Sequence, residues 1–275
     1  MISGTTRLIA HVGYPTAGFR SPLIYNPWFA ASGIDAVVMP MGVERATWPA
    51  LIRPLFALRN IIGALVTMPL KVETAALVDE LSTTARIAGA CNAVKAVPGG
   101  RLLGDMFDGE GFVLGMRRHG RDPAGCRALV VGSGGVGSAI AASLAAAGIA
   151  ALSLHDVNRA AADALAARLR RHYPALAVNT GTADPTGHDI VVNATPLGMN
   201  DTDPLPFTTA RLAPNTFVGE VVLRDHPTPM LREALARGCQ VQQGTDMLFE
   251  QIPTYLAWFG LGTATPEELR GVAKL

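Results

Sequence analysis

A turn rich in glycine joins a predicted buried strand to a predicted helix near the middle of the chain. Residues 129–139 read LVVGSGGVGSA, and the alanine-rich run that follows is typical of a helix. In this pattern Gly132 allows the tight turn, Gly134 lets the backbone approach a pyrophosphate, and Gly137 lets the helix pack closely on the strand. The N-terminus of that helix presents free N–H groups to phosphates. The stretch therefore predicts a dinucleotide site.

An acidic residue follows the next predicted strand, about 20 residues further on. Asp156 comes directly after residues 151–155, and a carboxylate there accepts hydrogen bonds from both ribose hydroxyls and repels a 2′-phosphate. NAD is the expected cofactor, with NADP less favoured. Arg159 either contacts adenine or a 2′-phosphate, or is a solvated residue at a helix start, and both interpretations stay open. The predicted cofactor contacts in this part of the chain are Gly132, Ser133, Gly134, Gly135, Val136, Gly137, Asp156, Asn158 and Arg159.

A lysine lies just past another predicted strand. Lys71 follows the apolar residues 61–67, and the carboxyl ends of strands are where ligands bind in open α/β sheets. Upstream, Ser21 is the expected N-cap of a helix and Pro22 its first residue. Downstream we expect a helix that contains Asp79 to Leu81, a strand at residues 93–97 and a hairpin at Pro98-Gly99-Gly100.

The remaining pattern continues to alternate strands with helices, which predicts an α/β fold of two domains. Residues 106–245 are expected to form the dinucleotide-binding domain, and residues 1–105 with 246–275 the substrate-binding domain. Predicted elements of the second half are a helix at 160–172, strands at 189–193 and 217–223, and helices at 229–237 and 246–259.

Composition limits the classes of partner. With 49% hydrophobic and 16% charged residues in 275, the chain is typical of a compact enzyme. The net charge is +1 and no Lys/Arg block occurs, so neither nucleic acid nor a membrane surface is an expected partner. A small molecule fits better. The sequence leaves both a monomer and a homodimer open.

Cysteine and histidine usage give no sign of a metal or disulfide framework. Cys91, Cys126 and Cys239 are widely spaced without a CxxC pair, which favours free thiols in a reducing compartment. The six histidines show no ligand spacing and are expected at the surface or at strand ends. With no secretory leader or long apolar run, we expect a cytoplasmic protein.

Five ordered motifs are spread over essentially the whole chain: VTMPLK at 66–71, GACN at 89–92, DG at 108–109, NATPLGM at 193–199 and GTDMLFEQ at 244–251. Together they resemble motifs of the shikimate and quinate dehydrogenase family. Residues 66–71, VTMPLK, are similar to the family's N-V-T-x-P-x-K, and residues 89–92, GACN, to its G-A-x-N. Residues 108–109 resemble the end of N-T-D-G, residues 193–199 resemble N-A-T-x-x-G-M, and residues 244–251 match G-x-x-M-L-x-x-Q. The resemblance implies an N-terminal α/β substrate-binding domain and a C-terminal Rossmann NAD(P)-binding domain, with a cleft between them.

The resemblance also implies an acid/base pair, which by position is Lys71 and Asp108. Oxidising a secondary alcohol to a ketone releases a hydride to the nicotinamide and a proton to a base, and a lysine can exchange that proton. A charge-assisted hydrogen bond from Lys71 to Asp108 would hold the lysine in place.

Further site residues are implied by position within the same motifs. Ser21, Thr67, Asn92 and Gln251 match positions that bind the substrate in the family. The cofactor is also expected to contact Ala194, Thr195, Pro196, Val222, Gly244 and Met247.

Several positions depart from the family pattern, nearly all of them toward apolar residues. Phe19 replaces the first serine of S-x-S-P, Leu65 the asparagine before V-T, Met106-Phe107 the N-T of N-T-D-G, and Leu223 a tyrosine, while Glu220 replaces an aspartate. Each lost hydrogen bond weakens substrate recognition by roughly 1 to 3 kcal/mol, so shikimate itself is expected to be a weak substrate.

Two interpretations of these changes stay open. In one, Phe19, Leu65, Met106, Phe107 and Leu223 line a pocket for a less hydroxylated ring, and Arg20 binds its carboxylate. In the other, Arg20 points to solvent and the apolar residues repack a smaller cleft.

The predicted activity is therefore that of an NAD(P)-dependent dehydrogenase. It would interconvert an alcohol and a ketone on a small cyclic carboxylate of the shikimate or quinate type. Quinate or an amino analogue of shikimate is an alternative substrate. An NAD-binding sensor with little catalysis is the alternative of a different class, although binding alone does not require Lys71 and Asp108.

Overall fold

The computed structural model describes residues 2–275, which form two compact units. Unit 1 contains the chain up to Phe107 together with Ile252–Leu275, and unit 2 is Asp108–Gln251. The expected domain limits fall after residues 105 and 245, whereas the units divide after Phe107 and after Gln251. The second division lies inside a continuous helix, where no turn residue marks it in the sequence.

Unit 1 is built on a mixed six-stranded sheet of order β2-β1-β3-β5-β6-β4. The strands β1, β2 and β3 run parallel, whereas β5 is antiparallel to both β3 and β6. The hairpin expected at Pro98-Gly99-Gly100 joins β5 to β6. The elements are β1 Arg7–Gly13, α1 Ser21–Ala31, β2 Ala36–Gly42, α2 Trp48–Phe56, β3 Ile61–Val66, α3 Lys71–Leu77, β4 Glu80–Leu81, α4 Thr83–Ala88, β5 Ala93–Ala96 and β6 Leu102–Asp105.

The neighbouring interior strands β1 and β3 are mostly buried, and their side chains alternate between the faces of the sheet. Ala10 and Val12 of β1, with Ala64 and Val66 of β3, belong to a core that also contains Trp48 of α2. The intervening residues, among them His11 and Leu65, occupy the opposite face. Strand β3 ends at Val66, directly before Thr67, and Lys71 then begins α3.

Two local predictions in unit 1 are wrong. The segment expected as a helix around Asp79 leaves helical geometry at Leu77, and Glu80–Leu81 pairs with β6 instead. The Asp79 carboxylate accepts a hydrogen bond from the backbone N–H of Leu102 at 2.6 Å, which favours the extended pairing. Ser21 is the first residue of α1 and not its cap, because Arg20 already has helical backbone angles and holds the N-cap position.

Unit 2 contains a second six-stranded sheet, of order β12-β11-β10-β7-β8-β9, in which every pairing is parallel. This is the doubly wound order of dinucleotide-binding folds, and the predicted fold class is confirmed. Its elements are α5 Asp108–Arg118, β7 Arg127–Val131, α6 Gly135–Ala146, β8 Ala151–His155, α7 Arg159–His172, β9 Ala177–Thr180, β10 Ile190–Asn193, a 3-10 turn Thr209–Arg211, β11 Phe217–Glu220, α8 Pro229–Ala236, β12 Gln240–Gln242 and α9 Gly244–Trp258, after which α10 Pro266–Val272 follows in unit 1.

The longest helix among residues 2–275 is α9, with 15 residues. Within that part of the chain, no helix is both long and apolar enough to cross a membrane.

Candidate active site

The glycine turn between β7 and α6 meets three different steric requirements. Gly132 has a φ of +105°, and a Cβ there would lie 2.7 Å from the carbonyl oxygen of Ala194. A Cβ on Gly137 would lie 2.0 Å from the carbonyl oxygen of Gly132. At Gly134, in contrast, a Cβ would have no neighbouring atom within 4 Å, so this glycine faces open space. The turn is therefore tight, closely packed and open at its middle glycine, as a pyrophosphate site requires.

The end of β10 lies beside this turn, at the point where the strand order reverses. Its last residue, Asn193, fixes the loop that follows: its Oδ1 accepts hydrogen bonds from the Thr195 backbone N–H at 3.0 Å and hydroxyl at 2.6 Å. The Nδ2 group of Asn193 donates to the carbonyl of Leu197 at 2.8 Å. The structure thus brings Ala194 and Thr195 next to Gly132, while Pro196 is exposed on the same loop.

Asp156 lies at the end of β8, and its carboxylate is tied to the glycine turn. One oxygen accepts from the backbone N–H of Ser133 at 2.6 Å, and the other from that of Asn158 at 2.8 Å. Arg159 begins α7, is 86% exposed, and has its Nε 3.7 Å from the Asp163 carboxylate. An open glycine, a helix N-terminus and an adjacent carboxylate together fit the phosphates and ribose of a dinucleotide.

In unit 1, backbone hydrogen bonds hold Thr67 and Lys71 next to the GACN turn. The Thr67 N–H donates to Val12 at 2.9 Å, and its carbonyl accepts from Leu70. Lys71 then begins α3, and its carbonyl accepts from the Cys91 N–H at 2.8 Å. The lysine and the residue that precedes Asn92 are thereby fixed relative to each other.

Asn92 is fully buried, with 1% of its surface exposed, and nearly all of its polar groups are paired within unit 1. Its side-chain oxygen accepts from the Phe107 N–H at 3.0 Å, and its backbone carbonyl accepts from Val66 at 2.8 Å and from the Tyr255 hydroxyl at 3.2 Å. The exception is Nδ2, which is buried without a hydrogen-bond partner. Because buried donors are normally paired, this amide is a candidate to bind a ligand oxygen.

Phe19 lies at the ends of β1 and β3, in front of α1. A Cβ on Gly13 would lie 2.5 Å from Cγ2 of Thr67 and 3.1 Å from Cζ of Phe19, so these residues meet. Arg20 and Ser21 follow at the start of α1, both half-buried. The predicted substrate contacts Phe19 and Thr67, which are far apart in the sequence, are therefore neighbours in unit 1.

One residue of this neighbourhood was missed by the sequence analysis. His11 was expected at the surface or a strand end, but only 6% of it is exposed, and its ring stacks on Phe19 with centroids 4.0 Å apart. Burial, together with the positive charge of Lys71, lowers the pKa of His11 to about 4. The available signal was a single polar residue inside an otherwise apolar strand, two positions before Gly13.

The apolar replacements are mostly internal. Leu65, Met106 and Phe107 are 5%, 1% and 5% exposed. The Phe107 ring packs edge-on against Tyr255, with centroids 4.8 Å apart, and against Trp258 at 5.7 Å. Met106 and Phe107 thus fill the interior of unit 1, and their place in a pocket wall stays a prediction.

In unit 2, the helix that begins at Asp108 packs against two helices of the predicted site. A Cβ on Gly109 would lie 2.1 Å from the Ala139 carbonyl of α6, and one on Gly111 2.7 Å from Cβ of Gln251 on α9. Asp108 is 4% exposed, and the Oε1 atom of Gln251 is buried without a hydrogen-bond partner. The remaining predicted contacts of this unit are Val222, whose carbonyl lies against Gly244, Met247, which is buried, and Leu223, which is 39% exposed.

Glu220 is a buried carboxyl at the end of β11, in register with Asn193. Its Oε2 accepts a hydrogen bond from the Thr228 hydroxyl at 2.7 Å. Burial raises the pKa of Glu220 to about 7, although the Thr228 bond acts in the opposite direction. This glutamate is the position at which the family pattern has aspartate.

Comparison with known proteins identifies the family. The family model described as the shikimate dehydrogenase substrate binding domain matches residues 12–94, most of the unit 1 segment that precedes the glycine turn. A curated shikimate dehydrogenase (NADP(+)) of Acidiphilium cryptum is 38% identical over 276 residues, covering 99% of this chain and 98% of that protein. The chain belongs to the shikimate dehydrogenase family. It is accordingly an NAD(P)-dependent oxidoreductase of the shikimate dehydrogenase type.

Solved structures of this family agree in fold. Shikimate 5-dehydrogenase of Listeria monocytogenes, in complex with shikimate and NAD, superposes with a TM-score of 0.90 at 25% identity, over 98% of this chain and 97% of that one. Quinate dehydrogenase of Corynebacterium glutamicum, in complex with NAD, gives 0.86 at 28% identity, over 97% and 98%. The predicted family and enzyme class are confirmed, and so is the cofactor class NAD(P).

Proposed function

We propose that this member of the shikimate dehydrogenase family prefers NAD and interconverts an alcohol and a ketone on a small cyclic carboxylate of the shikimate or quinate type. The observation that carries the proposal is the buried, unpartnered Nδ2 group of Asn92. It lies in the turn that is hydrogen-bonded to Lys71, and its own side chain holds the N–H of Phe107, the residue before Asp108. This unpartnered donor, which lies between Lys71 and Asp108 in the sequence, supports a hydroxyl-binding role for Asn92.

The proposed chemistry assigns the proton to the side chains of this chain. Bound NAD supplies the hydride acceptor for the oxidation. Lys71 exchanges the hydroxyl proton of the substrate, and Asp108 orients the lysine through a charge-assisted hydrogen bond. Thr67, Asn92 and Gln251 hold the ring hydroxyls, so that the reacting carbon is presented in one orientation.

The preference for NAD is supported by the carboxylate of Asp156. Its two backbone hydrogen bonds, from Ser133 and Asn158, hold a negative charge at the rim of the glycine turn. A 2′-phosphate placed there would be repelled, whereas ribose hydroxyls would be bound. The relative from Acidiphilium cryptum is named for NADP(+), whereas the Listeria monocytogenes structure holds NAD, so both cofactors occur among proteins similar to this chain.

The substrate is proposed to differ from shikimate in how its polar groups are bound. Phe19 and Leu65 stand where the family pattern has hydrogen-bonding side chains, and Ser21 alone remains of the two serines. Arg20, half-buried at the start of α1, is the cation available to bind a carboxylate through a bidentate pair. Turnover of shikimate is therefore expected to be weak.

The test is oxidation of shikimate and of quinate, each supplied separately with NAD and with NADP at alkaline pH. We expect NAD-linked turnover, and a loss of about 10²- to 10⁴-fold in Lys71→Ala. Lys274→Ala, a change at an exposed lysine near the end of the chain, is the matched control and should be fully active. Full activity of Lys71→Ala would disprove the acid/base pair. No turnover of either compound, with NADH binding intact by calorimetry, would disprove the substrate class.

A further inference from the structure

His11 is a buried polar residue that the proposed reaction does not yet use. Only 6% of it is exposed, and Nδ1 is buried without a hydrogen-bond partner. In an apolar strand such an atom costs free energy unless something pairs with it. A ligand atom is therefore a candidate hydrogen-bond partner for Nδ1 of His11.

Three predicted site residues lie around His11, namely Leu65, Phe19 and Lys71. In the parallel pairing of β1 with β3, His11 is in register with Leu65, so the two side chains lie side by side on the same face of the sheet. Phe19 stacks on the ring with an interplanar angle of 25°, which fixes the plane of the imidazole. The charge of Lys71 acts on the same ring and contributes to its lowered pKa.

Two of these neighbours are positions where this chain has lost a polar group. The family pattern has asparagine at position 65 and serine at position 19, and this chain has leucine and phenylalanine. A neutral imidazole offers one donor and one acceptor, and an asparagine amide offers both functions as well. The hydrogen-bonding side chain that is missing at position 65 of β3 thus has a counterpart in His11, at the paired position of β1.

We propose that His11 is a specificity-determining residue that hydrogen-bonds a hydroxyl of the cyclic substrate and takes over the function of the asparagine missing at position 65. The inference rests on the proposed function, because it assumes a ring hydroxyl in this part of unit 1. His11 remains neutral above about pH 4, since its pKa is lowered by burial, and it therefore binds a neutral hydroxyl without introducing a second cation beside Lys71. Phe19 holds the ring in the orientation that this contact needs.

The decisive variant is His11→Phe, which keeps an aromatic ring for stacking on Phe19 and removes both ring nitrogens. We expect KM for the substrate that is turned over to rise about 10-fold or more, with kcat changed less than about 3-fold, as expected for a lost binding contact. The double variant His11→Phe/Leu65→Asn returns the amide to β3 and should recover most of the lost affinity. An unchanged KM in His11→Phe, or a double variant no better than the single one, would overturn the proposal.

A second measurement needs no turnover and does not depend on how the variant folds. In wild-type protein labelled with ¹⁵N-histidine, the ring signals of His11 should shift on titration with shikimate or quinate and saturate with the binding curve. Turnover with unshifted His11 signals would overturn this inference and leave the proposed function standing. Binding that shifts His11 without any turnover would leave the inference standing and overturn the proposed function. If neither compound binds, both are wrong.

Discussion

The glycine turn of unit 2, the proposed cofactor site, and the proposed substrate contacts of unit 1 would recognise their ligands by different means. In the turn, specificity lies in the backbone: a Cβ at Gly132 or Gly137 would collide with carbonyl oxygens, whereas Gly134 is open. In unit 1, the proposed recognition lies in side chains that come from β1, β3, the start of α1 and the GACN turn. Recognition by the backbone leaves little room for amino-acid substitution. Recognition by side chains can instead pass from a residue on one strand to a residue on a neighbouring strand. Of the six positions that depart from the family pattern, four lie in unit 1, namely Phe19, Leu65, Met106 and Phe107, and two, Glu220 and Leu223, lie in unit 2.

The strongest way to break this comparison is to add a methyl group to the turn. In Gly137→Ala the new Cβ would lie 2.0 Å from the Gly132 carbonyl, so the helix must move away from the strand. We expect NADH binding to be lost and unit 2 to be destabilised, measured by calorimetry and thermal unfolding. Gly134→Ala meets no atom within 4 Å and should fold normally while binding NADH more weakly. Wild-type binding by Gly137→Ala would show that close packing of the turn is unnecessary.

A side chain at the rim of the turn should matter for the choice of cofactor. In Asp156→Asn the charge is removed, while an oxygen remains to accept a backbone hydrogen bond. We expect the ratio of kcat/KM for NAD to that for NADP to fall about 100-fold, because a 2′-phosphate is no longer repelled and the ribose is held less firmly. Asp122→Asn, at a carboxylate of unit 2 that is 67% exposed and pairs with Arg117, is the control. An unchanged ratio in Asp156→Asn would place cofactor selection elsewhere.

Much of unit 2 could be predicted from the sequence because its signals are local. The strand, the glycine spacing and the following helix occupy one continuous stretch, and the structure has the elements there. Unit 1 was harder. The segment at Glu80–Leu81 is a strand only because β6 lies beside it, and the Asp79 carboxylate bonds the distant Leu102.

The same reason explains why His11 was missed. Its burial depends on Phe19, which stacks on it, and on a neighbouring strand about 50 residues away along the chain, in register at Leu65. Sequence spacing does not show that register. By contrast, the expectation for Lys71 needed only the end of a strand, which the apolar run marks. Contacts between distant segments are therefore the part of the site that required a structure.

Stability should depend on pH through one buried side chain in unit 2. The pKa of Glu220 is raised from 4.5 to about 7 by burial, so the folded protein keeps a proton that the unfolded chain releases. Its stabilising contribution is complete below about pH 4.5 and is lost as the pH rises to about 7. We expect the wild type to lose about 2 kcal/mol between pH 5 and pH 8 from this group, and Glu220→Gln to lack that loss. Denaturant unfolding of both proteins at the two pH values is the measurement, and parallel curves would contradict it.

The smallest expected effect distinguishes the two interpretations of Arg20. If its guanidinium binds the substrate carboxylate, Arg20→Ala should raise KM about 10-fold for shikimate or quinate with little change in kcat. Arg59→Ala, at an exposed arginine of unit 1, should change neither constant. An unaltered KM in Arg20→Ala would mean that the side chain points to solvent and that the apolar residues only repack the region.

The chain order of the two units has a consequence for synthesis on the ribosome. Unit 2 is one continuous segment, Asp108–Gln251, whereas unit 1 needs Ile252–Leu275 as well as the residues before Asp108. Phe259, in that last segment, lies against Gly63 of β3, and the Lys274 N–H donates to the carbonyl of Leu23 in α1. The sheet of unit 1 is thus translated first, but it receives its last contacts only after the C-terminal segment has been made. Unit 2 can fold during translation, while β3 and α1 lack their contacts with Phe259 and Lys274 until the C-terminal segment has been made.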